Sequence, residues 1–325
     1  MSGDVPTQET LDLSAATAQS LPPSRASVWR RRAAFGVGVL LLVGAIAMVV
    51  RHPDELRRAM DAARGAAWWL VGLLVLLPAL NWVCISGVFW VLTARRAPGR
   101  VPPGEMAALI GTAWLLNYIP LRPGLFGRVA LHRRVHGIAV RESAWVLGEN
   151  IAAGGVAIGL ALLGIVCMRA VPATRAEWVI GAFLLGVPVL GTVVCTAVGG
   201  ATARAWSCAV LLRAVDLSLW GVRYAVASAI AGRGLTAPEA IALAAVSQVA
   251  MLVPLAGNGL GLREWAIGVA AVSLPAAWSA QAQEMTSAAG LFIDLLNRAA
   301  EVVAALPIGL VCSGWLARRY ARRHA

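Results

Sequence analysis

Nine apolar stretches make up most of this chain, at about residues 33 to 50, 66 to 92, 105 to 120, 143 to 167, 178 to 198, 205 to 231, 237 to 255, 264 to 275 and 286 to 312. Several reach the ~20 residues a helix needs to cross a bilayer core. A backbone in lipid must satisfy its own hydrogen bonds, which restricts such stretches to helices. With 59% of residues apolar and 14% charged, no stretch is large enough for a separate soluble domain. The expectation is one all-α polytopic membrane domain, residues 33 to 312, between a polar leader at 1 to 32 and a basic cytoplasmic tail at 313 to 325. The leader's arginines precede an apolar run of spanning length with no small-residue cleavage site behind it, so it does not read as a removable signal. Its Ser, Thr and Gln content and the pair Pro22-Pro23 read as a disordered segment.

Two stretches do not fit simple spans. Residues 105 to 120 end in Asn117-Tyr118-Ile119-Pro120 and run into Arg122-Pro123-Gly124, while residues 264 to 275 follow a proline and glycine break from Pro254 to Glu264 and stop at Pro275. Backbone released from helical hydrogen bonds is tolerated at membrane depth only inside protein or beside a watery cavity, so each break marks a place for something polar. The two breaks resemble each other: Pro120, Gly124, Gly127 and then Arg128 in the first, Pro254, Gly259, Gly261 and then Arg263 in the second. Dividing the chain near residue 175 gives halves 33 to 167 and 178 to 312 with one order, span, span, broken hairpin, span, which predicts an internal repeat.

Arginine placement separates two topologies. If both broken units crossed the membrane, the segment bearing Arg122, Arg128, Arg133, Arg134 and Arg141 would lie outside, against the positive-inside bias. If both turn back, six full spans remain, and that segment joins Arg95, Arg96, Arg100 and the tail from Arg318 to Arg323 in the cytoplasm. The halves then have opposite orientation. Because residues 237 to 255 are long enough to cross, the expectation is six to eight transmembrane helices with two broken or re-entrant hairpins in an inverted internal repeat, both termini cytoplasmic.

All 28 basic side chains are arginine, against 16 acidic ones, a net charge of +12. The excess suits anionic head groups or an anionic substrate as well as topology. Nucleic acid is a poor partner, since no soluble basic module is present. Cys84, Cys167, Cys195, Cys208 and Cys312 lie in or at the ends of apolar stretches without metal-ligand spacing and read as small core residues. No metal and no cofactor is expected.

At the two breaks the chain resembles the transmembrane, flippase-like domain of lysylphosphatidylglycerol synthases, the membrane part of the multiple peptide resistance factor, and its stand-alone relatives. The resemblance covers nearly all the chain from about residue 33 onward. The family's second motif, proline, three residues, then Gly-Gly-x-Gly-x-Arg-Glu, is met by Pro254, Gly259, Gly261, Arg263 and Glu264, with Asn258 where the first glycine is usual. Its first motif is met by Pro120, Arg122, Gly124, Arg128, Gly137 and Ile138, with Leu125 in place of a glutamate. A glutamate followed by arginine early in the next span is half kept, at Glu149 and Asn150. The departures point to a different ligand or a divergent subgroup. The resemblance implies a bacterial inner membrane location and movement of a phospholipid, polyprenyl-linked or hopanoid-type lipid across the bilayer. The soluble aminoacyl-transfer domain of the full synthases is not expected here, so synthesis of aminoacyl lipid is not either.

A charge inside the membrane costs roughly 2.5 to 3.5 kcal/mol on insertion scales, so each one is a site candidate. Arg213, Asp216, Trp220 and Arg223 share one helix face, and Asp294, Asn297, Arg298 and Glu301 share another. Pairing of Arg213 with Asp216 and of Asp294 with Arg298 inside their own helices is as open as substrate contact. Arg128 and Arg263 follow glycines that expose backbone amides, an arrangement suited to a phosphate. Glu149 and Glu264 would hold these arginines without substrate or accept protons, while an Arg263-Glu264 clasp holding the broken helix stays open. The substrate-binding candidates are Arg122, Arg128, Glu149, Arg263, Glu264, Asp294 and Arg298.

Asn117, Gln248 and Asn258 read as satisfying freed backbone, and His132, Arg133, Arg134 and His136 as a head-group or topology cluster. Trp68, Trp69, Trp82, Trp90, Trp114, Trp145, Trp178, Trp206 and Trp315 read as interface anchors. The leading expectation is a flippase-like transporter with a membrane lipid as partner. Its alternatives are a lipid head-group transferase using Glu149, Glu264 or Asp294 as base, or a non-catalytic partner of a lipid-modifying complex. Homo-oligomerisation is open.

Overall fold

The computed structural model describes residues 25 to 118, 123 to 171, 173 to 252, 259, 261 to 278 and 285 to 324. Among these there is no strand. Pro120, Arg122, Pro254 and Asn258 lie outside the described residues.

Helix α1 (Arg25–Val50) starts within the stretch read as a disordered leader, and an 87° bend leads to α2 (Pro53–Gly65). The sequence reading missed α2 because it is charged and short. It forms for local reasons: a proline at its first position, Asp54 and Glu55 in the first turn and Arg64 in the last, each matched to the helix dipole. Next come α3 (Trp68–Arg96), the short helices α4 (Pro103–Leu116) and α5 (Pro123–His136), and α6 (Val140–Cys167). The second half contains α7 (Ala173–Gly181), a π turn at Ala182–Gly186, α8 (Val187–Val198), α9 (Ala201–Ile230), the short α10 (Ala237–Leu252) and α11 (Leu262–Trp278), and α12 (Ser287–His324). Helix α12 runs on through the segment read as a separate tail, with Pro307 inside it.

Five helical runs are long and apolar enough to cross a membrane: α3, α6, the continuous run Glu177–Val198, α9 and α12. The bent α1–α2 pair raises the number to six, the lower end of the expectation. Helices α4 and α5 have 14 residues each, α10 has 16 and α11 has 17. At 1.5 Å per residue, a 14-residue helix covers about 21 Å, short of the ~30 Å hydrocarbon core. The chain is a multi-pass helical membrane protein.

Helices α3 and α9 pack together at the centre. Small residues let the helices approach closely: a Cβ at Gly221 would enter Ile241, and one at Gly111 would meet Cys312 and Trp82. Apolar side chains left outside this core, such as Val189, Leu190, Val193 and Val194 on α8 and Leu76, Leu80 and Val83 on α3, form the surface that meets lipid acyl chains.

The two ends of the molecule differ. At one, Arg95 and Arg96 hold Glu149, and Arg100 donates to the carbonyl of Gly137 at 2.7 Å. Buried Glu105 at the start of α4 meets His136 of α5 at 3.2 Å, and Arg319 (3.3 Å) and Tyr320 of α12. The outer ends of α4 and α5 therefore lie side by side. At the other end Glu55 of α2 accepts a hydrogen bond from Thr286 at 2.5 Å. There α11 and α12 run antiparallel, with Gly268 facing Leu291 and Gly290 facing Ala271.

Candidate functional site

A cavity of about 280 Å³ lies where α3, α4, α5 and α6 meet α9, α10 and α12. Its wall combines apolar and aromatic residues (Ile85, Phe89, Ile110, Leu147, Trp82, Trp114, Trp220) with Asn81, Asn117, Gln248, Arg128, Arg213, Arg223, Asp216 and Glu301. The carboxyl ends of α4 and α10 arrive here at Asn117 and Met251, and the amino end of α5 arrives at Gly124. Helix ends of opposite polarity offset one another, which leaves side-chain charge to set the sign of the site.

Two sets of polar contacts hold this wall. Asp216 accepts from Arg213 at 2.8 Å, from the Gln248 amide at 3.0 Å and from Asn81 at 2.7 Å, while Arg213 also donates to Gln248 at 2.6 Å. Arg223, 1% exposed, donates to Asn297 at 2.9 Å, Asn81 at 3.2 Å and Glu301 at 3.4 Å, and stacks 3.9 Å over Trp220. The polar faces of α9 and α12 expected from the sequence therefore meet. Arg213 pairs with Asp216 within its helix, as was open, whereas Asp294 and Arg298 find partners on other elements.

Arg263 is fully buried and donates to Asp294 at 2.9 and 3.1 Å and to Glu301 at 3.0 Å. Asp294 also accepts from the Tyr224 hydroxyl at 2.6 Å, and Glu264 accepts from Arg298 at 2.5 Å. This clasp sits one layer behind the cavity: among the described residues only Glu301 belongs both to it and to the wall. Arg263, Glu264, Asp294 and Arg298 are brought together as a group, but outside the cavity lining. Glu149 is elsewhere, in the arginine-bearing end with Arg95 and Arg96.

Arg128 is held differently. It is 7% exposed, lines the cavity, and stacks with its guanidinium carbon 3.8 Å from the centre of the Phe89 ring. Among the described residues no carboxylate lies within ion-pair range of it. The nearby His132 does not add charge at neutral pH, because burial, with Arg128 second, holds its pKa down to about 4.

The glycines of the breaks have separate tasks. Gly259 and Gly261 have φ of 73° and 79°, a region that disfavours any side chain. A Cβ at Gly261 would also press on Leu41 and the backbone of Leu42, so this glycine lets α1 lie over the second break. Trp265 fastens that contact by donating to the Leu41 carbonyl at 2.9 Å. Gly124 lets α5 cross α4 at Ala113, whereas Gly127 faces open space.

Asn81 was not singled out from the sequence, although an amide in the apolar run 66 to 92, three residues after Pro78, is a signal of the right kind. Trp82 and Trp114, read as interface anchors, line the cavity instead, and Trp82 donates to the Ala107 carbonyl at 3.0 Å.

Fold and site define a multi-pass helical membrane protein with a polar cavity backed by a cluster of buried ion pairs. No family model, curated protein or solved structure matches this chain.

Proposed function

We propose that this chain is a flippase-like transporter that carries the anionic group of a lipid or lipid-linked molecule, such as a phospholipid or a polyprenyl phosphate, across the bilayer. This is also what the resemblance to the transmembrane domain of lysylphosphatidylglycerol synthases implies. Arg128 carries the reading: it is a buried cation on a cavity wall with no carboxylate partner among the described residues. An uncompensated interior charge costs roughly 2.5 to 3.5 kcal/mol, so a site that keeps one is suited to an anion brought by the ligand. The guanidinium and the amides at the start of α5 supply donors matched to a phosphate. Apolar wall residues suit the parts of the lipid next to its head group, while the tails stay in the bilayer.

In this reading α4–α5 and α10–α11 are re-entrant hairpins of two inverted halves, with the described helix ends at Asn117, Gly124 and Met251 on the cavity wall. Equivalent packing supports it. Helix α3 packs on α4, α6 and α12 as α9 packs on α10, α12 and α6, and α4–α5 and α5–α6 contacts parallel those of α10–α11 and α11–α12. The arginine-bearing end, with Arg95, Arg96, Arg100, Arg318 and Arg319, is the cytoplasmic one by the positive-inside bias. Inverted halves around one central site let that site face either side in turn.

The test is head-group translocation in proteoliposomes with anionic, zwitterionic and polyprenyl-phosphate probes, comparing the parent with Arg128→Ala. Acceleration of an anionic probe that is lost in a folded Arg128→Ala protein is the expected outcome. A folded parent that accelerates no probe would sink the proposal and favour a partner-dependent or enzymatic role.

A further inference from the structure

The charges around the cavity allow a narrower statement, which rests on the reading of the cavity as an anion site. Among the described residues its wall carries three arginines, Arg128, Arg213 and Arg223, against two carboxylates, Asp216 and Glu301. Both carboxylates accept from arginines, Asp216 from Arg213 and Glu301 from Arg223 and Arg263. The layer behind is balanced, Arg263 and Arg298 against Asp294 and Glu264. Among the described residues the site therefore has a surplus of one positive charge, located on Arg128.

We infer that the cavity is a single-charge site: it accepts an anionic group carrying one negative charge, the charge state of a phosphodiester, and discriminates against the doubly charged phosphomonoester. A monoanion closes the balance. A dianion leaves one negative charge without a partner among the described residues, a mismatch worth on the order of a hundredfold in affinity. The fixed amides of Asn81 and Gln248 cannot correct it by taking up charge, because each already orients a carboxylate or an arginine. Sign and number of charges would thus be selected by the wall, and acyl or prenyl identity by the bilayer-facing part of the molecule.

The experiment uses the full chain in detergent and calorimetric binding of two short-chain lipids, dihexanoyl phosphatidylglycerol and dihexanoyl phosphatidic acid. At pH 8 the first carries one negative charge and the second close to two; at pH 5 both carry about one, since the second phosphate proton titrates near pH 6. The expected result is at least tenfold tighter binding of the phosphodiester at pH 8, with the gap closing at pH 5. Asp216→Asn raises the wall surplus to two charges and should shift the preference at pH 8 toward the phosphomonoester. Glu301→Gln makes the same change from another helix, in case one variant fails to fold. Arg128→Gln should weaken binding of both about ten- to a hundredfold. Dimethyl phosphate, a soluble monoanion, should compete with the lipid; failure to compete at large excess would mean that the lipid is held by its tails, and would overturn the inference.

Equal affinity for the two lipids at pH 8, with both dependent on Arg128, would overturn the single-charge inference and leave the anion-transport reading standing. Binding of neither anion by the folded parent would remove both.

Discussion

The two broken units place an arginine at corresponding points and then treat it in opposite ways. In the second unit Arg263 is fully buried and bound to Asp294 and Glu301, both supplied by α12. In the first, Arg128 faces a cavity, and the neighbouring α6 presents Leu147 to that cavity, while its acidic residues Glu142 and Glu149 are held by Arg95 and Arg96. One arginine is part of the scaffold and the other is left available. The difference comes from the following helix, since both arginines sit just beyond glycines near the start of a short helix.

The largest expected effect tests the scaffold side of this contrast. Arg263→Ala takes the arginine away from Asp294 and one of two arginines away from Glu301, and breaking a buried pair in this way typically costs about 3 to 5 kcal/mol. Thermal unfolding in detergent should show this loss, and anion binding should fall only as the folded fraction falls. A stable Arg263→Ala protein that had specifically lost anion binding would erase the distinction between the two arginines.

Arg128→Ala should do the reverse. Anion transport should fall about ten- to a hundredfold, the range for removing a charged hydrogen-bonding partner worth about 1.5 to 3 kcal/mol. Thermal stability should stay level or rise, since a buried charge without a carboxylate partner is removed. Leu147→Glu sharpens the comparison by giving the first unit a carboxylate on the cavity wall. It should suppress anion binding as Arg128→Ala does while Arg128 itself is retained, and binding that persists in a folded Leu147→Glu protein would count against Arg128 as the anion contact.

Much of this contrast is invisible in sequence for physical reasons. The apolar runs announced α3, α6, α9 and α12, because bilayer thickness imposes a length that is written residue by residue. The breaks announced themselves through Pro and Gly for the same reason. Helix α2 and the outer part of α12 were not legible, because both are polar and hydropathy says nothing of helices outside the hydrocarbon. Pair partners were hidden too: Asp294 and Arg298 have the spacing of an intrahelical pair, yet Asp294 binds Arg263 and Arg298 binds Glu264 across the α11–α12 contact. Asn81 was overlooked because its value depends on α9 lying beside it, where it joins Asp216 to Arg223.

The units also differ at their outer ends, where smaller effects are expected. Glu105 at the start of α4 ties that helix to α12 through Tyr320 and Arg319, whereas Glu239 in the first turn of α10 accepts from the backbone amide of Thr236, 2.8 Å away, and so caps its own helix. Glu105→Gln weakens contacts to a distant element and should cost about 1.5 to 3 kcal/mol, the range for hydrogen bonds to a charged group. It should also increase amide exchange in the last turns of α12, from Arg318 onward.

Glu239→Gln is the smallest change. Glutamine keeps an oxygen at the same place and can still accept from the Thr236 amide, so only the charge at a helix amino terminus is lost, typically about 0.3 to 1 kcal/mol. Faster exchange should be confined to the first turn of α10, with anion binding and α12 unaffected. If Glu239→Gln instead loosened α12 as Glu105→Gln does, the two outer ends would be mechanically equivalent, and the asymmetry between the units would be limited to the arginines at the cavity.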